Sequence, residues 1–125
     1  MLSNTRVAER YLQATALPDP GEDVAYLNEQ ITLANRLISK GEARRLGRTS
    51  DIRVTRADFD GNRVTARVIG TTGQYDTRIT VRPTPGHRCT CPDWQKNGPR
   101  VGPCKHVLRL AEVWLDVLVE KLESL

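Results

Sequence analysis

The sequence predicts an α+β fold, helical at both ends with a small antiparallel sheet between. Three patterns predict it. Apolar residues recur at alternating spacings of three and four from Val24 to Ile38. Apolar and polar residues alternate through much of residues 50–82. The last segment, residues 105–124, is apolar around most of a helical circumference. With 125 residues, the chain is long enough for one domain with a modest core.

Taken in order, residues 4–16 predict a short helix with Val7, Tyr11 and Ala14 on one face. LPDPG at 17–21 breaks it. Asp19 is then the expected N-cap of a second helix, with Pro20 at its first position and Glu22 three residues after the cap. That helix runs to about Lys40 on a seam of Val24, Leu27, Ile31, Ala34 and Ile38, widened by Leu33 and Leu37, and Gly41 stops it. The two helices are expected to pair as a hairpin over residues 1–41. Residues 42–125 would form the rest, packed with the hairpin as one unit.

Ile52 and Val54 begin the first strand. After the turn DFDGN, Val64, Ala66 and Val68 alternate with Arg63, Thr65 and Arg67. After TTGQ, Tyr75, Thr77, Ile79 and Val81 alternate with Asp76, Arg78, Thr80 and Arg82. The expectation is a three-stranded meander with one apolar face, its other face showing Arg53, Arg63, Arg67, Arg78 and Arg82. In the last helix, Lys105, Arg109, Glu112, Asp116, Glu120 and Glu123 trace a narrow polar stripe. An apolar arc that wide needs cover on two sides. The sheet supplies one, and the N-terminal hairpin or a partner subunit supplies the other.

Charge is segregated. Residues 44–109 carry 14 basic and 5 acidic side chains, whereas the flanking segments are net acidic and the whole chain is +4. Fifteen of the 19 cations are arginine, which suits bidentate phosphate contacts. Such a middle favours polyanions or is a solvated face. Aromatic residues are only 5%, so little surface is available for base stacking. No apolar run reaches the roughly 20 residues of a membrane span. The first residues mix charged with apolar side chains, unlike a signal peptide. An odd three cysteines argue against a disulfide framework and for a reducing, intracellular compartment, the cytoplasm or a nucleus.

All three cysteines lie in RCTCPDWQKNGPRVGPCKHV. Cys89 and Cys91 bracket one residue, Cys104 and His106 another, and twelve residues separate the pairs. Two local pairs supply the four N and S donors that tetrahedral zinc takes. On a helix, residues i and i+2 point about 200° apart, so Cys104 must sit at or before a cap with His106 in the first turn. Three thiolates and a neutral imidazole fill one zinc ion's shell, which predicts a structural and not a catalytic metal. His87 is nearby, as a surface residue or a support for the site. No nucleophile, base and orienting group come together outside these thiols, and no enzyme is expected.

This stretch resembles a SWIM zinc finger, whose pattern is C-x-C, a variable spacer, then C-x-H. CPDW and CKH resemble bacterial and archaeal members, and the likeness extends loosely over residues 38–115. It implies a β-β-α core, one structural zinc held by Cys89, Cys91, Cys104 and His106, and a stand-alone module that binds DNA or another protein. SWIM fingers accompany SWI/SNF-type ATPases, Mutator-like transposases and recombination accessory proteins. The expected function is a non-catalytic accessory factor that binds nucleic acid, DNA rather than RNA. Its candidate contacts are Arg44, Arg45, Arg48, Arg53, Arg63, Arg67, Arg78, Arg82, Lys96 and Arg100. The alternative is an adaptor for a recombination, ATPase or transposition partner, or a homodimer, with helix 105–124 and the loop QKNGPRVGP in contact. Neither reading involves a membrane or a small-molecule substrate.

Overall fold

The computed structural model describes residues 18–41 and 43–125. The helix expected over 4–16, and with it the hairpin pairing, lies outside the described residues. Helix α1 is Val24–Ser39, α2 Ala43–Leu46, β1 Arg53–Phe59, β2 Arg63–Ile69, β3 Gln74–Thr80, β4 Gly86–Cys89, α3 Pro92–Asn97 and α4 Lys105–Glu123. The strands form one antiparallel sheet in the order β1-β2-β3-β4.

The fold is α+β, as the periodicities predict, but the meander has four strands and not three. Gly86–Cys89 pairs with β3, setting Thr77 opposite Cys89. Its four residues are too few to carry an alternation. Helix α1 also differs. Its N-cap is Asp23, whose carboxylate accepts the Tyr26 N–H, while Asp19 closes a tight turn onto the Gly21 N–H. The buried face is Leu27, Gln30, Leu33, Ala34 and Leu37; Val24 is exposed and Ile31 and Ile38 are half-buried. The predicted seam is thus rotated toward Leu33 and Leu37. Gly41 follows the helix, and a Cβ there would lie 2.8 Å from the buried Leu108 side chain, so close approach demands the glycine.

The inner face of the sheet, Val54, Ala57, Val64, Ala66, Val68 and Ile79, packs in one core with Val107, Leu110, Ala111, Trp114 and Leu118 of α4. Leu27, Leu33, Ala34 and Leu37 of α1 join the same core. The wide apolar arc of α4 is therefore covered by the sheet and by α1. Its predicted polar stripe is partly sunk: Arg109 is buried, and its Nε donates to the Ile52 carbonyl at 3.0 Å, tying α4 to the start of β1. Among the described residues, no helix is long and apolar enough to cross a membrane.

Candidate metal centre

Each of the four predicted ligands is placed by an element boundary. Cys89 ends β4, facing inward beside Thr77, whose Oγ1 lies 3.4 Å from its Sγ. Cys91 is the N-cap of α3 in extended conformation, and its Sγ accepts the Trp94 N–H at 3.4 Å. Pro92 opens that helix, where a missing N–H costs nothing. Cys104 is the extended N-cap of α4 and His106 lies in the first turn, as the i, i+2 geometry requires. The twelve-residue spacer expected as an exposed loop is folded instead, as α3 and a 3-10 turn at Gly98–Val101.

The four donor atoms lie within 4.8 Å of one another, and all four residues are at most 2% exposed. Donors around tetrahedral zinc stand roughly 3.5–3.8 Å apart at the usual bond lengths. A contraction of roughly 1.0–1.3 Å at the widest separation closes this set onto one ion. His106 Nδ1 faces the sulfurs, 4.0 Å from Cys104 Sγ, while Nε2 faces Gly70, shielded from solvent and without a hydrogen-bond partner. The donor set therefore fits one zinc ion, bound through three sulfurs and Nδ1. When bound, zinc cross-links β4, α3 and α4 with no coordination position left for a reacting water.

The thiols also share protons. Hydrogen bonds from Cys104 and Cys91 hold the Cys89 thiol down to about 3, far below the ordinary range. The same contact with Cys89 pushes Cys104 up, together with Cys91 and burial. Zinc takes its sulfur ligands as thiolates, so uptake releases the protons these thiols hold, and lowering the pH opposes uptake. We expect zinc affinity to fall about tenfold per pH unit for each proton released. A chelator-competition titration between pH 6 and 8 checks this, and a pH-independent affinity would contradict it.

The predicted cations are distributed over the sheet, α2, α3 and the segments between them. Arg53, Arg63, Arg67 and Arg78 lie on the outer face of the sheet. Arg82 falls after β3, pairs with Glu29 of α1 at 2.8 Å and stacks 3.8 Å over the Tyr26 ring, so it fastens α1 to the sheet. The Arg82 hydrogen bond holds the Glu29 carboxyl below its usual range. Arg45 is 13% exposed and bonds Asp93 of α3 at 2.8 Å, bracing the metal centre. Arg44 and Arg48 lie on α2 and the turn after it, and Lys96 and Arg100 lie exposed on the spacer. Two outer-face cations escape sequence reasoning. Arg56 faces outward because a β-bulge between Val54 and Arg56 shifts the alternation. Arg88 is outward on the unforeseen β4.

A small α+β module closed by a buried Cys3His centre is the class that this fold and site define. Residues 80–115 match the family model of the SWIM zinc finger, and the ligand spacing fits its C-x-C…C-x-H pattern. The chain therefore carries a SWIM zinc finger over that segment, with four residues positioned to bind one zinc ion. Comparison with curated proteins and with solved structures gives no match.

Proposed function

We propose that this protein is a non-catalytic, intracellular accessory module that binds nucleic acid, duplex DNA before RNA, with zinc serving only to hold the fold. The observation that carries the reading is the outer face of the sheet. Its four strands present Arg53, Arg56, Arg63, Arg67, Arg78 and Arg88, of which Arg56, Arg63 and Arg67 pair with Asp58, Asp60 and Asp76, so the face keeps a net positive charge while the inner face is core. A surface of that charge neutralises backbone phosphates and displaces their counterions. With few aromatics to stack on bases, it suits a duplex backbone better than an unpaired strand.

The adaptor reading has less support. Val24 and Leu125 are the exposed large apolar side chains among the described residues, and α4 is covered within the chain. Fluorescence anisotropy with a labelled duplex across a salt series tests nucleic-acid binding. With four to six phosphates contacted, log K should fall against log salt with a slope of about −4 to −5. Undetectable binding at low salt would sink the reading.

A further inference from the structure

We propose that the outer sheet face contains a built seat for a single backbone phosphate of nucleic acid, gripped by Arg78 of β3 and Arg88 of β4. The inference rests on the nucleic-acid reading and locates its strongest contact. The register sets Arg78 and Arg88 directly opposite each other. Like charges in that position repel. The same sheet holds a second opposed pair, Arg56 and Arg67, and there the repulsion is relieved. Asp58 pairs with Arg56 at 3.0 Å, and Asp76 pairs with Arg67 at 3.2 Å. No acid relieves the first pair: neither Arg78 nor Arg88 makes an ion pair or side-chain hydrogen bond among the described residues. Arg78 Nε is shielded from solvent with no acceptor. A desolvated guanidinium donor left open is costly unless a ligand supplies the oxygen.

The shape agrees. These side chains line a concavity of about 410 Å³ together with Thr65, Thr90 and the two ion pairs Arg56–Asp58 and Arg67–Asp76, whose carboxylates are already neutralised by their own arginines. Thr90 Oγ1 accepts the Asp76 N–H at 3.0 Å, which leaves its own hydrogen to donate. The site thus offers two planar guanidinium forks and hydroxyl donors, a match for phosphate oxygens. No aromatic ring lines the concavity, so it can read a phosphate and not a base. Binding there is sequence-neutral.

The test compares two double variants of the zinc-loaded full chain, Arg78→Gln with Arg88→Gln and Arg53→Gln with Arg63→Gln. Each removes two charges from the same face. Against a labelled duplex at fixed low salt, the first should weaken binding about 10- to 100-fold and the second under about 5-fold. Inorganic phosphate should raise the melting temperature of the wild type and of the second variant but not of the first. Because Arg78 and Arg88 repel each other, the first variant should keep its zinc and melt no lower than wild type. Should it melt lower, Arg88→Gln alone, at an exposed position, carries the comparison. Equal losses in the two double variants overturn the seat and leave nucleic-acid binding standing as a diffuse contact. No duplex binding by the wild type overturns both. Protection by phosphate that duplex DNA does not compete away also overturns the proposal, because the seat then serves a free phosphate.

Discussion

Cys104→Ser is expected to leave the chain without zinc and without a cooperative melting transition. Cys104 is 2% exposed, caps α4, and stands within 4.8 Å of the other three donors. Serine supplies a hydroxyl that zinc does not take in a structural site, so the shell drops to three ligands. Structural zinc in finger peptides contributes about 10–16 kcal/mol of apparent binding free energy, whereas whole domains are stable by only about 5–15 kcal/mol. Losing most of the first term exceeds what the remaining core supplies. The consequence reaches beyond the finger, because α4 carries Val107, Leu110 and Trp114 into the shared core. Metal content by mass spectrometry and melting by circular dichroism check this together. A variant that keeps one zinc per chain and the wild-type melting temperature would refute the structural role of the metal.

The same centre marks where the sequence is readable. Each ligand pair is local, so spacing alone identifies Cys89, Cys91, Cys104 and His106, and helical geometry alone puts Cys104 at a cap. What escapes is set by tertiary context. Asp19 and Asp23 both have cap chemistry, but Asp19 spends its carboxylate on the Gly21 N–H and the helix begins four residues later. Arg82 continues the alternation of its strand, yet Glu29, 53 positions away in sequence, draws it to α1. Arg56 requires knowledge of a bulge, and Arg88 requires a strand with almost no apolar signal. The outer face is thus more basic at β4, and less basic beyond β3, than alternation alone predicts. That shift turns a scattered arginine pattern into one relieved pair and one unrelieved pair.

Gly70→Val is expected to weaken zinc binding about 10- to 100-fold while leaving all four ligands in the chain, the cost typical of disturbing a group that orients a metal ligand. Gly70 lies outside the matched finger, in the turn between β2 and β3, where its N–H bonds the Gly73 carbonyl at 2.9 Å. A Cβ at Gly70 would stand 3.1 Å from His106 Nε2. With Nδ1 on the metal, Nε2 carries the proton, so the added methyl groups crowd that N–H. Tyr75 also packs against the imidazole, its ring centred 4.8 Å away and its hydroxyl 2.7 Å from Thr72 Oγ1. Crowding at Nε2 is expected to turn Nδ1 away from the three sulfurs. Gly86→Ala is the matched control, since a Cβ there meets nothing within 4 Å, and it should bind zinc as the wild type does. The d–d bands of the cobalt-substituted protein report ligand geometry directly, and they should change for Gly70→Val but not for Gly86→Ala. Wild-type zinc affinity and an unchanged cobalt spectrum in Gly70→Val would show that the β2–β3 turn does not hold the histidine in place.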